Sequence, residues 1–214
     1  MPCLFDLLPE HLVESAAARL AADVEKRDNH LTTGFIGVAL LCPVLTKYGR
    51  GDLAYALLHQ DTYPSWGYSI VHGATTIWER WDGWTADRGF QAAEMNSFNH
   101  YSLGSIGDWL FGGVAGIEQA PTSVGYRELQ LRPTVGGRLT WAKASQETVR
   151  GRVASGWRLD GDQIVVDVEI PPGATAQLIV PTPNPASVRD GNGDTVPGPE
   201  ITLGSGTYRF TASR

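Results

Sequence analysis

The sequence predicts an α + β chain in two parts, helical over residues 1–118 and antiparallel β over residues 119–214. Three observations carry that expectation. Apolar residues recur at helical spacing before Gln119, and short alternating runs replace them afterwards. In the second part, Gly, Pro and Asn/Asp clusters separate the runs.

The first helix is expected over about Glu10–Arg27, where Leu12, Ala16, Leu20 and Val24 stand at steps of four and form one apolar face. Pro9 and Glu10 at its start and Arg27 at its end suit the helix dipole. Further helices are expected over about Phe35–Tyr48, Asp52–Gln60, Tyr68–Trp78 and Ser97–Gly116, giving about five in all. Strands are expected over Arg127–Arg132, Arg138–Ala142, Val149–Leu159, Gln163–Ile170 and Ala176–Val180. Within Ile164–Ile170 every second residue is apolar, the pattern of a half-buried strand. Asp160-Gly161-Asp162, Pro171-Pro172-Gly173 and Asp190-Gly191-Asn192-Gly193 read as turns.

A net charge of −6 without Lys/Arg blocks argues against nucleic acid or an anionic membrane surface as the main partner. Cys3 and Cys42 are too few for a disulfide scaffold and too isolated for a zinc site, so both are read as free thiols. No apolar stretch reaches bilayer length, and Met1–Leu8 lacks the basic start and long apolar region of a secretion signal. A cytoplasmic address is the default expectation.

The chemistry is expected in Asp61–Ile117, which holds five of the seven tryptophans together with Glu79 and His100. Indole faces stack pyranose rings and carboxyl groups cut glycosidic bonds, so the mixture suits a sugar cleft. A plainer reading stands beside it: core tryptophans, Glu79 in a solvated ion pair with Arg80, and a histidine tying down a loop. For Asp82 and Asp87 the expected role is that of solvated loop residues.

The order of motifs adds a resemblance. His30–Phe35 (HLTTGF), Gln60–Gly67 (QDTYPSWG), Gly73–Gly83 (GATTIWERWDG) and Met95–Tyr101 (MNSFNHY), then Asp108–Leu110 and Val114–Ile117, resemble the C-terminal part of bacterial α-L-rhamnosidases. Gly125–Pro133 (GYRELQLRP) and Gly137–Trp141 (GRLTW) continue the likeness over nearly the whole chain. The resemblance implies partial (α/α)6 toroid helices, the end of the catalytic barrel, followed by a small antiparallel β-sandwich.

It also implies roles. Glu79, in the stretch Thr76-Ile77-Trp78-Glu79, matches the family's general base, and His100 matches a histidine that touches the bound sugar. Ser97 is expected to cap a helix whose first turn holds His100. Trp78 and Trp81 would wall the sugar pocket. An inverting glycosidase needs two carboxyl groups about 6.5–9.5 Å apart. The resemblance places the acid upstream of this sequence, since Asp6 and Glu10 belong to a helix-start segment. The chain alone is therefore expected to be weak or inactive.

Two-carboxyl hydrolysis calls for no metal or organic cofactor. The expected partners are a rhamnose-containing glycoside or polysaccharide, and either the upstream half of the same enzyme or a second copy that covers the faces of the cut toroid. After HLTTGF the chain departs from the family, with the apolar Gly37–Leu41 in place of a turn. Pro2–Asp6 also looks like mid-domain sequence rather than a start. The alternative function is a non-catalytic carbohydrate-binding or accessory protein.

Overall fold

A computed structural model describes Phe5, residues 7–196, Gly198 and residues 200–214; Cys3 and Asp6 lie outside the described residues. It divides into two compact units. One comprises the residues up to Trp109 with Gly136–Arg138, and the other Leu110–Val135 with Leu139–Arg214.

The first unit begins with α1 (Glu10–Lys26), α2 (Phe35–Lys47), α3 (Gly51–His59) and α4 (Trp66–Val71). A short hairpin of β1 (Trp84–Thr85) and β2 (Gly89–Phe90) follows, then a 3₁₀ turn Ser102–Ser105 and α5 (Ile106–Trp109). Three helices end in the same way. Asp28, Gly49 and Gly73 take positive φ just past α1, α2 and α4. The next amide reaches back five residues in each case, Asn29 to Val24, Arg50 to Leu45 and Ala74 to Ser69. This left-handed closure satisfies carbonyls that the helix leaves open.

Gly73 also explains why the helix expected over Tyr68–Trp78 stops at Val71. The helix expected over Ser97–Gly116 breaks into the 3₁₀ turn, the four residues of α5 and a π turn at Leu110–Val114. The Gly-rich sequence there, with Gly104, Gly107, Gly112 and Gly113, disfavours a continuous helix. In α1 the buried stripe is Ala17, Ala21 and Val24, whereas Leu12 is exposed. A step of four overshoots the 3.6-residue turn, so the expected face drifts out of the core.

Tyr55 of α3 lies at the centre of this unit, edge-on to Trp109 at 5.2 Å. The Trp109 indole donates to Thr46 Oγ1 at 2.8 Å. Gly136 and Gly137 pass so close that a Cβ at either would fall within 3 Å of the Tyr55 ring. Buried Cys42 has its thiol pushed up to about 12 by desolvation.

His59 Nε2 accepts from the Arg138 amide at 3.1 Å, an arrangement that requires a neutral ring. Burial, then the Arg138 charge, holds the His59 pKa below its usual 6.5. The unfolded chain therefore binds the extra proton first, and stability falls as pH drops below about 6.5 toward the folded value. Melting temperature measured against pH is expected to show this slope, and His59→Gln to flatten it.

The second unit is a β-sandwich. Its four-stranded sheet runs β10 (Glu200–Leu203), β8 (Thr175–Ile179), β4 (Glu128–Leu131), β3 (Ile117–Gln119). The five-stranded sheet runs β5 (Trp141–Thr148), β6 (Gly151–Asp160), β7 (Gln163–Ile170), β11 (Gly206–Ser213), β9 (Arg189–Asp190). All pairs are antiparallel except β4 with β8. Leu129, Leu131, Ala176 and Leu178 of one sheet meet Val153, Trp157, Ile164, Val166, Val168 and Phe210 of the other. Each such fully buried large side chain contributes roughly 1.5–3 kcal/mol.

Inside this core, Trp157 Nε1 donates to Val114 O at 2.8 Å and Ser155 Oγ to Ala115 O at 2.6 Å. These bonds satisfy two buried polar groups and fix the chain just before β3. Of the run expected over Arg138–Ala142 only Trp141 and Ala142 are strand, and β5 continues from them to Thr148; the run expected over Val149–Leu159 becomes β6 from Gly151, with Val149 and Arg150 in the hairpin turn. In this unit the sequence pattern predicts none of β3, β9, β10 and β11. Among the described residues no helix is long and apolar enough to cross a membrane.

Candidate functional site

The candidate site residues of the first unit lie on two irregular segments joined by hydrogen bonds, Thr76–Glu79 and Ser97–His100. The Glu79 amide donates to Ser97 O at 2.8 Å and the His100 amide to Ile77 O at 2.8 Å. Thr76 Oγ1 donates to Phe98 O. Residues 80–96 form the loop between them. Its base is closed by Gln91 N to Gly83 O at 3.1 Å and by Asn96 Nδ2, which donates to Gly83 O at 3.0 Å.

Glu79 is only 8 % exposed. Its Oε2 accepts from the Ser97 amide at 2.7 Å, so the pair exchange two hydrogen bonds. Among the described residues Oε1 has no such partner. The ion pair read between Glu79 and Arg80 forms elsewhere: Arg80 makes a bidentate pair with Asp82, at 2.9 and 3.1 Å. The five-donor guanidinium fork fits the planar Asp82 carboxylate. The hydrogen bond from Arg80 holds the Asp82 carboxyl below its ordinary range. Asp82 is thus a paired, half-buried group rather than a solvated one, while Asp87 stays exposed.

His100 lies outside any helix, so the expected first-turn position and its dipole effect do not apply. Ser97 Oγ instead accepts from the Asn99 amide at 3.1 Å, capping a local turn. The imidazole stacks on Phe35 at 4.9 Å and on Tyr101 at 5.5 Å, with interplanar angles of 11° and 7°. Its Nδ1 accepts from the Ser102 amide at 3.3 Å, which leaves Nε2 as the donor.

Trp78 is buried and meets Phe98 edge-on at 5.1 Å. Trp81 is half-buried, edge-on to Trp66 at 5.7 Å, and its Nε1 donates to Thr33 O at 2.9 Å. Trp66 is anchored in turn by Nε1 to Leu103 O at 2.8 Å. Gly37–Leu41, where the sequence departs from the family pattern, lies inside α2.

Sequence reasoning missed Phe35 as a platform for His100, the Ser97 amide as the partner of Glu79, and the Arg80–Asp82 pair. Only the last had a local signal, opposite charges two residues apart. The other two depend on pairing across 18 residues or more, which no periodicity reports.

Residues 1–114 match the model of the bacterial alpha-L-rhamnosidase 6 hairpin glycosidase domain, and residues 116–194 match that of the bacterial alpha-L-rhamnosidase C-terminal domain. An alpha-L-rhamnosidase of Streptomyces avermitilis is 45% identical over 210 residues, covering 96% of this chain and 20% of its own length. One from Formosa agariphila is 40% identical over 220 residues, covering 97% of this chain and 24% of its own. The crystal structure of the S. avermitilis alpha-L-rhamnosidase complexed with L-rhamnose superposes with a TM-score of 0.91 at 44% identity, over 99% of this chain and 21% of that one. The native Aspergillus terreus enzyme gives 0.86 at 33% identity, over 99% and 23%. The chain thus spans about a fifth to a quarter of the relatives it matches. It belongs to the bacterial alpha-L-rhamnosidase six-hairpin glycosidase family.

Proposed function

We propose that this chain supplies the general base and part of the sugar-binding wall of a glycoside hydrolase that removes terminal α-L-rhamnosyl residues with inversion. The observation that carries the reading is the Glu79 carboxylate, buried, with Oε2 held at 2.7 Å by the Ser97 amide and Oε1 without a protein donor among the described residues. One oxygen fixes the group, and the other is available to take a proton from an attacking water. His100 Nε2 donates to a sugar hydroxyl, and Trp78 and Trp81 form the apolar wall behind the ring.

Inversion also needs a proton donor on the opposite face of the sugar. Asp82 and Asp52 do not fit that role. Arg80 and Arg50 respectively hold their carboxyls low, in the deprotonated form. The acid is therefore assigned to a segment of the enzyme other than these residues. On this reading the unit that runs to Trp109 is the end of the (α/α)6 barrel and the unit that begins at Leu110 is the C-terminal sandwich, so the boundary expected between residues 118 and 119 moves ahead of β3. The upstream half of the enzyme or a second copy covers Ile36, Ile70 and Val71, which are 91%, 67% and 62% exposed. Light scattering of the chain at high concentration is expected to show association, and a monodisperse monomer counts against it.

The test places this chain in the matching fifth of the S. avermitilis relative and follows an aryl α-L-rhamnoside by NMR. Turnover to the inverted anomer supports the assignment. A folded but inactive chimera favours the second reading, a non-catalytic carbohydrate-binding or accessory module, which the low-lying Asp52 and Asp82 also support.

A further inference from the structure

The outward face of the five-stranded sheet carries a groove that the proposed hydrolase site does not use. The register of β5, β6 and β7 sets its shape. Trp141 stands opposite Arg158, Lys143 opposite Gly156, and Gly156 opposite Asp167, while Ala154 faces Glu169 one row along. Gly156 and Ala154 therefore make a low floor between taller walls. A Cβ on Gly156 would sit 3.0 Å from that of Lys143 and begin to fill the trough.

Two features of the walls point to a ligand. Trp141 is 59% exposed although it lies within a strand, so its indole serves no core. Burying such a ring is favourable, and its flat face suits the C–H face of a pyranose. The second feature is charge. The chain is acidic overall, yet Lys143, Arg152 and Arg158 face only Asp167 and Glu169 along the groove. Arg152 pairs with Glu169 at 3.3 Å, and Asp167 is divided between Arg158 at 3.2 Å and Arg209 at 2.6 Å. Glu147 and Asp160 stand at the far ends of β5 and β6. Lys143 has no carboxylate partner among the described residues, and its ammonium lies over the Trp141 ring, 5.9 Å from its centre, so that the charge and the ring face form one surface.

We infer that this groove binds a saccharide carrying uronate groups, with one pyranose on Trp141 and its carboxylate against Lys143. A single uronate residue spans that ring-to-ammonium separation, and the Arg152–Glu169 and Arg158–Asp167 pairs offer donors and acceptors to neighbouring hydroxyls. The exposed charges are individually weak, so affinity comes from ring stacking and charge together.

The test is an amide NMR titration of the full chain with α-1,4-linked tetragalacturonate, its fully methyl-esterified form, and inorganic phosphate. Shifts in β5 and β6 with roughly millimolar affinity are expected for the acid. Trp141→Ala is expected to weaken binding about tenfold or more, and Lys143→Gln or esterification about fivefold. Both side chains are exposed, so the variants should melt as the wild type does. If Trp141→Ala does not fold, Lys143→Gln and the ester carry the test. No shifts at about 10 mM, equal binding of acid and ester, equal response to phosphate, or unchanged affinity in the variants overturns the inference. Glu79→Gln should bind as the wild type does, which keeps this result separate from the proposed hydrolase site.

Discussion

Replacing Glu79 with Gln in the chimera is expected to lower kcat by on the order of 10²–10⁴ while leaving KM within a few-fold. The amide is isosteric, and its oxygen can still accept from the Ser97 amide, so the local fold is retained. What disappears is the capacity to remove a proton from water. A fall in kcat with unchanged melting temperature therefore reads out base chemistry. If kcat is unchanged, Glu79 is a structural clamp between the two segments. External azide supplies a second readout, since a small anion can attack without a base and would restore turnover only if Glu79 acts as one.

Gly116→Ala should be the most damaging small substitution in the β unit, by about 3 kcal/mol or more. Gly116 has φ +80°, and a Cβ there would lie 2.2 Å from Pro133 N and 2.6 Å from Arg132 C. Both are backbone atoms, so no rotamer change relieves the clash. Gly116 O also accepts from Arg132 N at 3.0 Å, next to the Ile117–Leu131 pair of β3 and β4. Gly161→Ala is the control. It shares the positive φ, at +57°, but its Cβ meets open space, so only the left-handed backbone term of about 1–2 kcal/mol remains. Chemical denaturation of both variants checks the difference. Equal losses would mean that backbone conformation, and not crowding, governs Gly116.

These positions also mark where sequence reading succeeds. The alternation in Gln163–Ile170 matches β7 to the residue, because a sheet position with one buried face imposes a period of two on its own side chains. Gly49 likewise marks the end of α2 locally, whereas Gly73 ends α4 inside the run expected to be helical as far as Trp78. The candidate site is legible as a set of residues, through the order of motifs, but its arrangement is not. Glu79 is held by the backbone of Ser97, an interaction that places no demand on the Ser97 side chain. His100 is stacked on Phe35, 65 residues distant, whose place at the end of HLTTGF and the start of a helix carries no sign of that contact. Where the partner is a main-chain amide or a distant ring, neither spacing nor composition records it.

The zippered base of the 80–96 loop has an evolutionary corollary. Because Gln91, Asn96 and Gly83 tie the ends together, the geometry of Glu79 and Ser97 does not depend on what lies at the tip. Lengthening a closed loop is inexpensive, about 0.6 kcal/mol for each doubling. The excursion can therefore gain, lose or exchange residues while the paired segments beneath it keep their register. Variation among relatives can then accumulate at this tip, with the candidate site insulated from it by the two hydrogen bonds that Gly83 O accepts.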